Sequence, residues 1–247
     1  MTIEFVLLIL GAYLIGSIPA AYLVAKWFRG IDLRKYGSGN VGSSNLMRVT
    51  SKRLGIPVVI FDLGKGMIMV WIAQLVGLDT SQQVIVGLAA VIGHNWSVFL
   101  RFSAGRGALT TVGVALILVP RLTVVLLVIT FGGLALGYMA VTTLCTIALL
   151  PIASWFSSAP VINWLFGQPL GISERLPVTL GFLAIFLTTV IRRLTAPRTS
   201  LSASVTTRQL IVNRLLFDRD IRDREAWIHR TPPKASLTKQ QEKQGKG

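Results

Sequence analysis

The 247-residue chain is 52% hydrophobic and only 14% charged, where a soluble globular domain carries about 25% charged residues. That composition excludes an ordinary soluble domain and describes a polytopic membrane protein. The net charge of +15 is no sign of nucleic acid, because the basic residues gather in the Lys26–Arg53 loop and after Arg192, as on the cytoplasmic side of a membrane protein.

A crossing helix needs about 20 mostly apolar residues. The first apolar run, Phe5–Ala25, is preceded by Glu4 rather than a basic start and is closed by Lys26 after a full membrane thickness. It also lacks a persuasive cleavage site, so it reads as a retained first span and not a removed signal peptide. Pro19 inside it is expected to kink the helix or open a gap beside its neighbours. Further spans are expected at Ile56–Gly77, Val84–Leu100, Ala108–Val119, Leu122–Met139, Val141–Phe156 and Leu176–Ile191. The fold class is therefore an all-α polytopic membrane protein, with about seven transmembrane helices joined by short, polar, glycine-rich cytoplasmic loops. The first connector holds seven basic residues against Asp32 alone, the next none, the third Arg101 and Arg106, and the tail is heavily basic. Seven spans with the N-terminus outside and the C-terminus cytoplasmic satisfy this pattern, with Arg121 as the exception.

That orientation gathers three polar stretches on one side. In the first, "KYGSGNVGSSNLMR" (Lys35–Arg48), Gly37, Gly39 and Gly42 let backbone amides turn into one concavity. Ser38, Asn40 and Asn45 add side-chain groups. Ser43, Ser44 or Asn45 is placed to cap a short helix whose N-terminus favours anions, with Arg48 further along to fork onto a phosphate. On spacing alone the stretch reads equally as a flexible polar turn. It is not the nucleotide-binding P-loop, which needs GxxxxGK[ST]. In the second, "GHNWSVFLRFSAGRGALTT", Gly105 and Gly107 bracket Arg106, so backbone can approach a ligand beside a positive charge. His94 reads either as a packed residue or as a catalyst. The carboxylate of an HxxxxD pattern is absent, since Phe99 stands there. With two histidines and no carboxylate cluster, no metal and no cofactor are expected.

"FDLGKG" places Asp62 and Lys65 three apart inside the second span, where ionisable groups are costly. Pairing is the expectation for Asp62; Lys65 reads as its partner or as a ligand contact. Cys145 is expected to be a small packed side chain. Residues 196–230 form a basic amphipathic cytoplasmic segment, lying on the membrane surface or solvated as a helix. Residues 231–247 are expected to be disordered, and residues 1–195 to form the integral membrane domain.

In order along the chain, "GSIPAAYLVAK", "GSGNVGSSNLMR", "DLGKG" and "GHNWSVFLRFSAGRG" resemble the bacterial acyl-phosphate-dependent glycerol-3-phosphate acyltransferases, over roughly Gly11 to Arg193. The resemblance implies transfer of a fatty acyl group from acyl phosphate to glycerol 3-phosphate in the bacterial inner membrane, giving 1-acylglycerol 3-phosphate and phosphate, with no nucleic acid involved. Ser38 and Arg48 match the first motif, and Gly93 and His94 open the second. Its later part usually reads GGKG and here is Ala104-Gly105-Arg106-Gly107. The catalytic set implied is Ser38, Arg48, His94 and Arg106. Substrate binding falls to Gly37, Gly39, Asn40, Gly42, Asn45, Lys65, Gly105, Gly107 and Arg193. The third motif departs from the HxxNIxRL pattern: Leu187 and Val190 replace its histidine and asparagine, and Pro197 and Thr199 the following glycine and glutamate. Two readings stand: a divergent acyltransferase, with the family's or a different acceptor or donor, or a relative that binds phospholipid or acyl phosphate without turnover. On the first, Ser38→Ala or Arg48→Ala costs far more activity than truncation after Arg208.

Overall fold

The computed structural model describes residues 2–156 and 172–228; the segment 231–247, expected to be disordered, lies outside them. Every regular element among the described residues is helical. Helices α1 (Ile3–Ser17) and α2 (Ala20–Arg29) together make the first span, broken at Ile18–Pro19 as the proline requires. Carbonyls near the break need partners at membrane depth. Ser97 Oγ donates to the Ser17 carbonyl at 2.5 Å, and Lys65 Nζ lies 3.5 Å from that of Ile18.

The short α3 (Ser43–Val49) follows the first loop and leads into α4 (Lys52–Leu75), whose Ser51 cap accepts from the Leu54 amide. Helix α5 (Thr80–Asn95) starts where Asp79 and Gln82 form a reciprocal capping box. Then come α6 (Ala108–Leu118), α7 (Pro120–Ala135), α8 (Met139–Trp155) and α9 (Ile172–Leu194). Two short helices, α10 (Thr207–Phe217) and α11 (Arg224–Ile228), close the described chain.

Four helical stretches are long and apolar enough to cross a membrane: Ile3–Arg29, Lys52–Leu75, Thr80–Leu100 and Ser173–Leu194. Helix α6 is not, against the expectation of a span at Ala108–Val119. Its 11 residues reach about 16 Å at 1.5 Å per residue, roughly half of a 30 Å hydrocarbon core. Pro120 then opens α7, which returns to the end where α6 began, because Gly137 and Met139 line a cavity with Ala108. The seven apolar segments thus alternate in direction, but not all at full depth.

Close helix contact is written in small residues. A Cβ on Gly66 would overlap the Thr110 carbonyl, and one on Gly113 the Leu63 carbonyl, so α4 and α6 meet backbone to backbone. The largest apolar cluster joins Val70, Val114, Leu122, Ile147, Phe182 and Ile185 from α4 and α6–α9. Another, around Ala21, Leu33, Leu46, Val58 and Leu100, sits beneath the first loop. Leu33 and Leu46 are fully buried there, each worth about 1.5–3 kcal/mol, and so fix a segment otherwise rich in glycine. Large apolar side chains such as Leu7, Ile60, Val128 and Leu180 face outward, as lipid contact demands. Cys145 is exposed on α8 rather than packed.

Candidate active site

The polar stretches meet at one end of the bundle. The first loop is held by a single side chain: Asn45 donates to the carbonyls of Tyr36 and Asn40 at 3.0 Å and of Leu33 at 3.4 Å. Its Oδ1 accepts the Ser38 amide at 3.0 Å. Asn45 is 2% exposed, and its hydrogen-bonding capacity is spent on the loop. It shapes the site by holding the loop that forms part of the wall of the smaller of two cavities. Gly37 (φ +54°) and Gly39 (φ +70°) take the left-handed backbone this winding needs, and a Cβ on Gly37 would strike Asn45. Asn40 donates its amide to Ser38 Oγ at 3.3 Å. Gly42 is itself the N-cap of α3, with no side-chain cap, so none of Ser43, Ser44 or Asn45 fills that place. Arg48 stands in the last turn of α3, its guanidinium lowered from its usual value by burial and by the facing Arg224, against the opposing pull of Glu225.

The second loop is built on His94 and Arg192. His94 is buried under it: its carbonyl accepts the Gly105 amide (3.1 Å), and its ring lies flush against Gly105. Across from the loop, His94 Nδ1 is 3.6 Å from Asp62 Oδ1, and Asp62 pairs with Lys65 at 2.8 Å. The histidine–carboxylate pair that local spacing denied is therefore assembled from two helices. Lys65 is 3% exposed. Neither it nor His94 lines the two cavities between the loops and the C-terminal segment, so the structure does not bring these two expected site residues to the open site. Arg192 clamps the loop, donating from Nε to the Gly105 carbonyl (3.2 Å) and from Nη2 to that of Ala104 (3.0 Å). Gly107 (φ +71°) turns the chain into α6.

Between the loops and the C-terminal segment lie two adjoining cavities, of about 320 and 220 Å³. Ser38, Asn40, Arg106, Asp218, Arg219 and Trp227 border both. Arg34, Arg192, Arg198 and Arg214 line the larger; Arg48, Arg193 and Arg224 line the smaller. Arg106 pairs with Asp218 at 2.7 Å and donates to the Arg192 carbonyl at 3.3 Å. Arg193 donates to the carbonyls of Leu215 (2.6 Å) and Ala140 (2.8 Å), tying α9 to α10 and α8.

The C-terminal segment packs one face of its helix against the bundle and leaves Ile211, Val212 and Leu216 exposed. Leu210, Asn213 and Arg214 of α10 are buried. At Asp218 (φ +52°) the chain reverses, and Asp220 is locked in place. Its carboxylate accepts from Ser202 Oγ (2.6 Å), Thr199 Oγ1 (2.9 Å) and Arg214 Nε (2.8 Å). Burial pushes the Asp220 carboxyl up, but the bonds from Arg214, Ser202 and Thr199 prevail and hold it below the usual carboxylate range. Reasoning from sequence missed Arg192, Asp218, Arg219, Asp220 and Trp227 at the site. The available signals were the doubled arginine closing the last span and the apolar residues recurring through Arg208–Arg230.

A cluster of guanidinium groups around two connected cavities, at one end of an apolar bundle, suits phosphorylated ligands with lipid parts. A family model for glycerol-3-phosphate acyltransferase matches residues 6–201. Glycerol-3-phosphate acyltransferase 4 of Dehalococcoides mccartyi (strain CBDB1) is 43% identical over 232 residues, covering 93% of this chain and 95% of that one. The Fusobacterium nucleatum glycerol-3-phosphate acyltransferase is 38% identical over 146 residues, 59% of this chain and 75% of its own. The crystal structure of PlsY, an integral membrane glycerol 3-phosphate acyltransferase, in its glycerol 3-phosphate form is 27% identical with a TM-score of 0.61, covering 81% of this chain and 98% of that one. This multi-pass membrane chain belongs to the glycerol-3-phosphate acyltransferase family.

Proposed function

We propose that the chain transfers a fatty acyl group from acyl phosphate to a hydroxyl of glycerol 3-phosphate at the cytoplasmic face of a bacterial inner membrane, with its N-terminus outside. The observation that carries this reading is the pair of adjoining arginine-lined cavities with Ser38 and Arg106 on their common wall. Each substrate carries one phosphate, and the two must lie side by side for the acceptor hydroxyl to meet the acyl carbon. Its oxygen attacks that carbon, the bond from the carbon to the phosphate oxygen breaks, and phosphate leaves with the electron pair. The hydroxyl proton passes to the departing phosphate, because the buried His94–Asp62 pair borders neither cavity.

Acyl phosphate is an activated donor, so alignment and charge stabilisation carry most of the rate. Arg48 and Arg106 neutralise phosphate charge, Ser38 Oγ meets a reacting oxygen, and Asn40 shares that wall. Gly37, Gly39, Gly42, Asn45, Gly105, Gly107 and Arg193 hold the loops and walls that place them. His94 and Lys65 act from beneath, by supporting the second loop and the broken first span. The acyl chain follows the apolar groove between α6, α7 and α8, lined by Ala115, Leu126, Ile147 and Leu150.

The test is product formation by purified protein given labelled glycerol 3-phosphate with either acyl phosphate or acyl-CoA. Lysophosphatidate from acyl phosphate, lost in Ser38→Ala, is the expected result. Product from acyl-CoA alone, or none from a folded protein, would overturn the reading.

A further inference from the structure

The family model ends at residue 201, yet both cavities are closed by residues beyond it. Asp218, Arg219 and Trp227 border the two together. Asp218 is committed to Arg106 at 2.7 Å, and Asp220 to Arg214 at 2.8 Å. Arg219 between them pairs with no carboxylate among the described residues. Its guanidinium carbon lies 5.2 Å from the centre of the Phe217 ring, and its Nη1 is buried with no hydrogen-bond partner among the described residues. A buried guanidinium nitrogen left without an acceptor is costly. It is explained where the acceptor arrives with a ligand.

We infer that Arg219 is a substrate-phosphate ligand, supplied to the wall between the two cavities by the C-terminal segment. The inference rests on the acyl-transfer reading and adds to it a residue outside the matched family region. The left-handed turn at Asp218 delivers the group: α10 ends there, and the reversal is pinned on both sides of Arg219 by the Asp218–Arg106 and Asp220–Arg214 pairs. Burial and the facing cations Arg224 and Arg48 also lower the Arg219 guanidinium from its usual value, with Asp223 opposing, so an arriving dianion relieves mutual repulsion.

The phosphate recognised belongs to either acyl phosphate or glycerol 3-phosphate, and kinetics separate them. In Arg219→Ala, KM for one substrate rises about tenfold or more, the expected loss of one charge-assisted pair. The other KM and kcat stay within about threefold, Arg219→Lys recovers part of the loss, and the exposed Arg222→Ala behaves as wild type. Both KM values and kcat unchanged in Arg219→Ala, or all three worsening together with a lowered unfolding temperature, overturns the inference. Direct binding of glycerol 3-phosphate and of inorganic phosphate keeps the inference separate from the acyl-transfer reading. If the wild type binds but makes no product, turnover fails as a reading while Arg219 is still judged by binding. Loss of binding in Arg219→Ala then sustains its role, and equal binding in both proteins ends it.

Discussion

Gly105→Ala puts a single methyl group where the second loop rests on His94. The new Cβ would overlap His94 Nε2 and approach the ring carbons at 2.7 and 3.0 Å. Gly105 is not in the left-handed region, so the penalty is steric rather than conformational. Retreat of the ring is opposed because Asp62 faces its other side at 3.6 Å and is itself paired with Lys65. Overpacking a tight site costs about 1–3 kcal/mol, roughly five- to 150-fold in the population of the correctly placed loop. A displaced loop also weakens the two Arg192 bonds to the Ala104 and Gly105 carbonyls and moves Arg106 on the shared wall. We expect kcat/KM in detergent micelles to fall within that range, with helical content retained. Removing the obstacle should restore part of the loss: Gly105→Ala with His94→Ala should exceed Gly105→Ala alone. A double variant no more active than the single one refutes the steric argument. His94→Ala alone abolishing kcat while substrate affinity is kept would place the imidazole in the chemistry and contradict proton transfer to phosphate.

Ser38→Ala and Arg48→Ala should each lower kcat/KM by about tenfold or more, as loss of a phosphate contact implies. Truncation after Arg208, expected from sequence to cost far less, should now be comparably severe, since it removes Asp218, Arg219 and Trp227 from the cavity walls. Activity of the truncated chain near wild type would dismiss the C-terminal segment from the site. Asp62→Ala should cost about 3–5 kcal/mol by leaving Lys65 buried without its carboxylate. Asp62→Leu with Lys65→Met should unfold at a higher temperature than that single variant, and no recovery would count against a structural pair. Asp220, with its depressed native pKa, contributes stability that is present above the unfolded carboxylate value and lost as pH falls through the native one. The stability gap between wild type and Asp220→Asn should thus be constant from neutrality to about pH 5 and shrink below about pH 4. A gap that closes between pH 6 and 7 would contradict it.

Much of this was legible in sequence for physical reasons. Apolar runs and clustered basic residues mark spans and the site's side, and Pro19 marks a break because no other residue removes an amide while fixing φ. The glycines of the first loop marked a wound backbone, although its organiser is Asn45, whose bonds to Leu33, Tyr36 and Asn40 depend on folding. The Asp62–Lys65 pair follows from helical spacing. His94 beside Asp62 does not, since the two lie on helices whose crossing no local pattern encodes. The C-terminal segment was hardest to read. Its arginines look like a surface stripe until Asp218 and Asp220 are seen binding Arg106 and Arg214. Where the third motif lacks its glutamate, Thr199 binds the Asp220 carboxylate, which returns an acidic group to that place from 21 residues on.

Direct transfer requires that both phosphates be held at once, in adjoining cavities. Initial rates measured while glycerol 3-phosphate and acyl phosphate are varied against each other test it most directly. Double-reciprocal lines that intersect are expected, the mark of a complex containing both substrates. Parallel lines, with phosphate released before glycerol 3-phosphate is added, would mean an acyl-enzyme intermediate and contradict it.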